Sequence, residues 1–370
     1  MNLLEEVSAK LERMQNTLQQ AEVAGIRLRG TDWFAWATAG ASNTVLLAAE
    51  TGVAEVLVTR SGAWIITDEI EAQRLKDEQL LSAAEESPYK LFVYPWAQSS
   101  DRESFVREAT NGGKVLSDRP SNTSLEFSLP ASFIYQRQVL LPSELERYRQ
   151  VGQLASEAMT EVLTQAQPTW TEYQLAGAGA EAMWARGLHP VLTLASGDRR
   201  LPLYRHPLPT EEPLGRRAML VFCARGQGLI VSLTRFVYFD RLSSEDQKLH
   251  QTIAEVEAVA LNHSRPGTSL NAVYQALATA YEQRGYPSAI REHHQGGTAG
   301  YGAREIVATP DTKGLLATNM VVAWNPSIPG AKIEDTFALT SDPSLENLSC
   351  DPQFPHLEIE GRLRPVPLER

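Results

Sequence analysis

Short apolar runs alternate with helix-like segments over about the first 130 residues, and this alternation restricts the N-terminal part of the chain to an α/β domain. The apolar spacing over residues 3–24 predicts an N-terminal helix. Residues 56–59 and 63–67 predict two strands, and Arg60-Ser61-Gly62 between them predicts a hairpin turn. Because a chain of 370 residues is too long for one ordinary domain, we expect a second domain after this one.

A capping box marks the predicted start of the second domain. Ser143 is the predicted N-cap, and Glu146, three residues later, would complete the box of a long helix that runs to about residue 165. We therefore place the two domains at residues 1–138 and 139–370. Further helices are predicted at 168–187, 244–264 and 269–285. Strands are predicted at 218–231 and 235–239, as a hairpin around Gly226 and Gly228, and at 320–324 and 332–340.

The composition argues against several classes of function. The chain carries 34 Lys and Arg against 45 Asp and Glu, a net charge of −11, whereas nucleic-acid and anionic-membrane partners require a basic surface. Two cysteines, Cys223 and Cys350, are too few for a disulfide framework or a cysteine-rich zinc site. The N-terminus lacks the apolar core of a signal peptide, and no apolar run approaches the roughly 20 residues of a membrane span. We therefore expect a cytoplasmic protein with neither a nucleic-acid nor a membrane partner.

Three segments concentrate side chains that can do chemistry, namely residues 203–209, 291–305 and 324–336. The first contains His206, and the second contains the dipeptide His293-His294 ahead of a glycine-rich stretch. Glycines let the backbone approach a ligand closely, so His294 and His206 are candidate site residues. The alternative, a hydrogen-bonded structural histidine, stays open for both. We expect His293 to point outward or to be structural.

The order of these segments resembles that of the pita-bread metallopeptidase family, which includes methionine aminopeptidase, aminopeptidase P, prolidase and the metal-free relative creatinase. Residues 231–235 are similar to the family's S-D-x-T-R strand, and residues 332–336 are similar to its R-I-E-D-T segment. Residues 1–140 resemble the N-terminal domain of aminopeptidase P and prolidase. The resemblance implies an α/β fold in which a creatinase-type N-terminal domain is followed by a C-terminal pita-bread domain.

The resemblance also implies where a metal site should lie. The family's peptidases bind two metal ions through two Asp, one His and two Glu. Carried over residue by residue, the two Asp fall near Val221 and on Ser232, the His falls on His294, and the two Glu fall on Asn325 and Glu334. The formal charge of the ligand set would therefore drop from −4 to −1, which leaves two divalent cations almost unneutralised. We expect no metal cofactor, and the alternative is one weakly bound divalent ion at His294 and Glu334.

Creatinase offers the precedent for a metal-free cleft. His206 falls where that family member has its acid/base histidine, and residues 301–305 resemble its Y-G-R-E segment with one residue inserted. Tyr301 replaces a second family histidine, and a phenol with a reference pKa of about 10 is a poor proton shuttle at neutral pH. In such a cleft, Glu305 and Glu334 would hold a cationic substrate and Arg304 would bind a carboxylate. We predict catalytic roles for His206, His294, Glu305 and Glu334, and substrate contacts for Tyr301, Arg304, Asn325 and Ser232.

Three functions follow from these observations. The first is a metal-independent hydrolase of a small peptide, amide or amidino substrate. The second is a non-catalytic pseudo-peptidase that uses the cleft to bind a small peptide-like ligand or a protein partner. The third is a metal-dependent Xaa-Pro peptidase whose ligands are shifted, for example to Asp240 or Asp335. The resemblance further implies a homodimer.

Overall fold

The computed structural model describes residues 2–80, 87–121, 124–341 and 345–370. The chain divides into two compact units, the first formed by Met1–Arg137 with Leu141–Glu144 and the second by Gln138–Leu140 with Leu145–Arg370.

A six-stranded mixed sheet forms the centre of the first unit, with helices between its strands. In chain order the elements are α1 (Leu3–Gln20), β1 (Gly25–Gly30), α2 (Thr31–Ala37), β2 (Thr51–Thr59), β3 (Gly62–Asp68), α3 (Ala72–Glu78), β4 (Lys90–Tyr94), α4 (Ser99–Ala109), β5 (Val115–Ser117), β6 (Glu126–Ser128) and α5 (Ala131–Gln138). The strand order is β4-β3-β2-β1-β5-β6. The predicted hairpin is confirmed, because β2 and β3 pair antiparallel and Thr59 stands opposite Gly62.

The predicted N-terminal helix is confirmed as α1, although it ends at Gln20. The Asn2 side chain accepts the backbone N–H of Glu5 and the Glu5 carboxylate accepts that of Asn2, which completes a capping box. The buried ammonium of Lys10 lies 2.5 Å from Glu6 and 2.9 Å from Glu144. Two carboxylates therefore compensate a cation that is fully removed from water.

The second unit contains two main sheets and four helices of 13 residues or more among the described residues. The strand order is β19-β9-β8-β7 in one sheet and β11-β10-β12-β15-β16 in the other. The elements are α6 (Pro142–Gln165), α7 (Glu172–Trp184), β7 (His189–Gly197), β8 (Arg217–Gly226), β9 (Leu229–Tyr238), α8 (Ser244–His263), α9 (Leu270–Gln283), α10 (Ala289–Glu292), β10 (Gly296–Ala299), β11 (Ile306–Val307), β12 (Val321–Trp324), β13 (Ser327–Ile328), β14 (Ala331–Lys332), β15 (Asp335–Leu339), β16 (Leu345–Asn347), β17 (His356–Ile359), β18 (Arg362–Pro365) and β19 (Leu368–Glu369).

The predicted N-cap of α6 is wrong by two positions. The helix begins at Pro142, so Ser143 lies inside its first turn. Proline suits the first helical position, because its missing N–H would have no partner there and its φ angle is already helical. The Glu144 carboxylate accepts the backbone N–H of Leu141 at 2.7 Å, whereas Glu146 was expected to accept that of Ser143.

Strand β8 ends at Gly226, earlier than the predicted strand at 218–231. Gln227 and Gly228 both adopt positive φ angles, 48° and 80°, and form a tight turn at this point. The resulting register places Cys223 opposite Ser232 and Val221 opposite Thr234. Every residue of β9 is buried, so polar side chains on this strand must find partners within the protein.

A buried network of four charged side chains links β9, β15, β18 and α8. Arg235 and Arg364 lie 2.7 and 2.8 Å from the two carboxylate oxygens of Asp335, and Arg364 lies 2.6 Å from Glu257. The two cations and two anions sum to zero charge, which is the condition under which such a cluster tolerates burial. Asp335 is therefore engaged by two guanidinium groups.

No helix among the residues that the structure describes is both long and apolar enough to cross a lipid bilayer.

The pH dependence of stability should contain a contribution from His250, whose Nε2 lies 3.1 Å from the Tyr238 hydroxyl. Burial, aided by the Arg217 guanidinium, lowers the pKa of His250 to about 4. The unfolded chain binds a proton near pH 6.5 and the folded chain only near pH 4, so the stability contribution is complete above pH 6.5 and is lost as the pH falls toward 4. We expect His250→Gln to remove about 2–3 kcal/mol of the acid-induced loss in the free energy of unfolding, measured by urea denaturation.

The exposed His263 offers a matched control. His263→Gln should keep the wild-type difference between pH 7 and pH 4.5. An equal pH dependence for wild type and His250→Gln would contradict this account of His250.

Candidate active site

Three histidines meet in the second unit. His206 comes from the irregular segment between β7 and β8, and His293 and His294 directly follow α10. The ring centroids are 4.5 Å apart for His206 and His293, 4.4 Å for His293 and His294, and 5.6 Å for His206 and His294. The Nε2 atoms of His206 and His293 lie 2.8 Å apart, within hydrogen-bond distance. One ligand atom from each ring lies within 4.8 Å of the others, a spacing that could also serve one metal ion.

His293 does not point outward, because this side chain is 8% exposed and belongs to the cluster, and the other expectation, a structural histidine, stays open. α10 ends at Glu292, and the regular strand β10 begins only at Gly296. The His-His dipeptide therefore lies in irregular chain, where the alternation of neighbouring side chains across a strand does not apply. The only sequence signal was the dipeptide itself, which offered two candidates rather than one.

All three imidazoles are neutral at pH 7. Burial, followed by the Lys332 ammonium, lowers the pKa of His206 and brings that of His293 to about 2. Burial, followed by the Arg304 guanidinium, lowers the pKa of His294 to about 4. A neutral imidazole has a free lone pair that can accept a proton or bind a metal ion.

A guanidinium occupies the place next to the histidines. Arg304 forms an ion pair with the carboxylate of Glu334, and its Nη1 lies 3.3 Å from the Ser232 hydroxyl. The other carboxylate oxygen of Glu334 accepts the Thr234 hydroxyl at 3.3 Å. Arg304 is 13% exposed at its side chain and Glu334 only 3%, so the pair is largely shielded from water. The charge of Arg304 therefore lies at two positions where the family resemblance places metal ligands.

The residues at the remaining ligand positions do not fit two metal ions. Val221 is apolar and 1% exposed, and the Ser232 hydroxyl contacts the Cys223 thiol at 3.4 Å. Burial raises the pKa of the Cys223 thiol. The one carboxylate that remains, Glu334, is already neutralised by Arg304. A dinuclear centre would lack the negative charge that two divalent cations need.

Three further predicted site residues, Asn325, Glu305 and Tyr301, make contacts with their own surroundings. The Asn325 backbone N–H donates to the Gln295 carbonyl at 3.1 Å. The Glu305 carboxylate accepts the backbone N–H of Gly302 at 3.0 Å and so closes its own loop. Tyr301 is fully buried, and its hydroxyl accepts a hydrogen bond from Arg147 at 3.3 Å. The structure thus brings together His206, His294, Arg304, Glu334 and Ser232, while the roles of Asn325, Glu305 and Tyr301 stay predictions.

Lys332 is a charged residue that the sequence analysis did not single out. Its side chain is buried, with 5% of the residue exposed. Its ammonium makes no ion pair or hydrogen bond with any other residue that the structure describes. In the sequence it is only the first residue of the segment similar to R-I-E-D-T, and nothing in that pattern separates a buried lysine from an exposed one.

Comparison with known proteins identifies the class to which this fold and site belong. Residues 146–341, more than half of the chain, match the profile of Metallopeptidase family M24. The protein is therefore a member of this family, as the resemblance predicted. No curated protein sequence matches the chain.

Solved structures show the same fold over nearly the whole chain. A "Xaa-Pro dipeptidase from Bacillus anthracis" has 17% identity and a TM-score of 0.73, covering 94% of this chain and 98% of its own. An X-Pro aminopeptidase from Thermotoga maritima MSB8 has 16% identity and a TM-score of 0.77, covering 96% and 100%. The N-terminal domain of the FACT complex subunit SPT16 from Cicer arietinum has 12% identity and a TM-score of 0.72, covering 94% and 96%. The predicted α/β fold, with a creatinase-type N-terminal domain and a C-terminal pita-bread domain, is confirmed.

The ion pair between Arg304 and Glu334 should contribute strongly to stability. Arg304→Met leaves the Glu334 carboxylate buried without its cation, so we expect the free energy of unfolding to fall by about 2–4 kcal/mol. The double variant Arg304→Met/Glu334→Gln removes both charges and should recover most of that loss. Urea denaturation at pH 7 measures all three proteins.

The exposed Arg291 provides the control, and Arg291→Met should change stability by less than about 0.5 kcal/mol. If the double variant is no more stable than Arg304→Met, the two side chains do not depend on each other.

Proposed function

We propose that the protein is a hydrolase of small peptide or amide substrates that works without the dinuclear metal centre of its family. One observation carries the proposal: the Arg304 guanidinium forms an ion pair with Glu334 beside a cluster of three neutral imidazoles. A side-chain cation thus lies beside the positions at which the resemblance places metal ligands, and a proton acceptor lies next to it.

His206 is the best placed general base. Its ring is exposed, so water can reach it, and the buried His293 lies 2.8 Å away, where it can orient the ring. In the proposed reaction, a neutral His206 takes a proton from a water molecule as that water attacks the substrate carbonyl carbon. His206 then returns the proton to the nitrogen that leaves. The positive charge of Arg304 stabilises the negative charge that develops in the cleft.

The carboxylates favour a peptide over a cationic amidino substrate. A cationic substrate was expected to be held by Glu305 and Glu334. Glu334 is already neutralised by Arg304, and Glu305 accepts the backbone N–H of Gly302. Two of the similar structures are called Xaa-Pro dipeptidase and X-Pro aminopeptidase, which makes peptides with proline in the second position the first substrates to assay.

A second candidate function is binding without turnover. Three large side chains around His206 are unusually exposed for apolar residues, at 58% for Leu203, 50% for Tyr204 and 68% for Leu208. Such side chains suit contact with a peptide-like ligand or a protein partner. The same fold occurs in the N-terminal domain of a FACT complex subunit, so the fold does not decide between the two functions.

The decisive assay is hydrolysis of Xaa-Pro dipeptides by protein treated with a chelator and then dialysed. We expect turnover to persist without metal and to fall at least about 100-fold in His206→Asn, because a general base contributes roughly 10²–10⁴-fold. His263→Asn, a change at an exposed histidine, should retain wild-type turnover.

Three outcomes would replace the proposal. Two bound metal equivalents with activity restored only by Mn²⁺ or Co²⁺ would establish a dinuclear peptidase with shifted ligands. One bound equivalent, lost in His294→Ala, would support the single-ion alternative. Saturable binding of a dipeptide without any hydrolysis would support the second function. The homodimer also remains a proposal, and sedimentation equilibrium measures it.

A further inference from the structure

We propose that a cavity of about 750 Å³ in the second unit is a binding site for a small, uncharged and mostly apolar molecule. The cavity is bordered by β9, by α8 and by the C-terminal segment from residue 355 onward. Its volume falls in the range of small-molecule sites. None of the predicted active-site residues lines it, so the inference goes beyond the proposed hydrolase and does not depend on it.

The inner part of the cavity is apolar and buried. Phe236 of β9, Ile253 and Ala254 of α8 and Ile333 line it, and each is at most 4% exposed. Leu357 of β17 lines the same cavity and is 60% exposed, so the cavity extends from the core to the surface. An apolar molecule that enters would remove its own surface and that of these side chains from water, which is the main driving force for such binding.

Three prolines make the C-terminal wall poor in hydrogen-bond donors. Pro355, Pro365 and Pro367 line the cavity, and proline has no backbone N–H. The N–H of Val366, between two of these prolines, donates to the Pro355 carbonyl at 3.0 Å. Water molecules in this part of the cavity would find few partners, whereas an apolar ligand needs none.

The wall that contains these prolines is anchored on two sides. Arg364 of β18 lies 2.6 Å from Glu257 of α8, and both side chains are at most 1% exposed. Further along the chain, β19 pairs with β9. A shift of the C-terminal segment into the cavity would break a buried ion pair. Because protein interiors normally contain few voids larger than a water molecule, a large space between anchored walls is typical of a ligand site.

The charged side chains of the cavity wall balance one another. Arg235 and Lys332 are positive, and Glu358 and Glu369 are negative. Arg235 is also engaged by Asp335 at 2.7 Å. The wall therefore offers no net charge to attract an ion, and transfer of an ion to the apolar inner part would carry a large desolvation cost. Both effects favour an uncharged ligand.

His250 supplies a polar contact inside the cavity. Its Nε2 lies 3.1 Å from the Tyr238 hydroxyl, and its Nδ1 has no hydrogen-bond partner among the residues that the structure describes. The ring is neutral at pH 7, because burial lowers its pKa to about 4. A neutral imidazole nitrogen either donates or accepts one hydrogen bond, so Nδ1 can meet one hydroxyl, carbonyl or amide group of the ligand.

The first test is a fluorescence titration of the full chain with the uncharged dye Nile red, and we expect saturable binding of one equivalent. Ala254→Trp places an indole in the cavity and should weaken binding at least about tenfold. Leu357→Asp introduces a charge at the exposed side of the cavity and should weaken binding as well. Ala272→Trp, at an exposed position of α9, should bind like the wild type, and so should His206→Asn.

The second test measures the contribution of His250 with two ligands that differ only in a hydroxyl and a methyl group, 2-naphthol and 2-methylnaphthalene. We expect 2-naphthol to bind more tightly by roughly threefold to tenfold, which corresponds to one hydrogen bond. His250→Phe should abolish this preference. His263→Phe, at an exposed histidine, should keep it.

Three results would overturn the inference. The first is the absence of saturable dye binding by the wild type, and the second is equal affinity of the wild type and the cavity variants. Urea midpoints establish that each variant is folded, and Leu357→Asp, at an exposed position, decides the comparison if Ala254→Trp does not fold. The third is an affinity that falls as the protein concentration rises, which would show that a second copy of the chain covers the cavity.

Equal binding of the two naphthalene compounds by the wild type would overturn the role of His250. The outcome is separate from that of the proposed function. A protein that hydrolyses no peptide but binds the dye in the cavity would contradict the hydrolase and support this site, and a hydrolase that binds no dye would do the reverse.

Discussion

The ion pair between Arg304 and Glu334 is the interaction on which the rest of the site depends. Glu334 is nearly inaccessible to water and bridges to Thr234 on β9, so its charge must be compensated from within the protein. The Arg304 guanidinium provides that compensation, with a single charge in a fixed planar geometry.

The scaffold that holds this pair is rigid for physical reasons. β9 is buried along its whole length, and its partner strand β8 sets Cys223 against Ser232. One residue after Glu334, Asp335 is held by Arg235 and Arg364, so the chain cannot slide without breaking a buried, charge-balanced network. Glu334 and Asp335 thus share one short segment but have different tasks. Glu334 forms the ion pair with Arg304, and Asp335 anchors its strand through ion pairs with Arg235 and Arg364.

Turns and helix ends were predictable from the sequence where a few neighbouring residues determine them. The β2–β3 hairpin followed from a turn sequence between two apolar runs. The helix predicted from residue 168 begins at Glu172, where Thr171 caps it. The start of α6 was missed because proline at the first helical position competes with a plausible serine cap. The cluster of His206 with His293 joins segments 87 residues apart, and no local pattern can measure that distance. The burial of Tyr301 and Lys332 was out of reach for the same reason.

The sequence by itself determined the family and the two-domain α/β fold, because these depend on which residues stand at the motif positions. Only the tertiary structure decided which side chains meet at the site. Backbone segments far apart in the chain decide three features of the site. They decide that Arg304 faces Glu334, that His293 is buried in the cluster and that Lys332 is buried. The energy of a charge interaction depends on the distance between the two groups in space, and the separation of the two residues along the sequence does not give that distance.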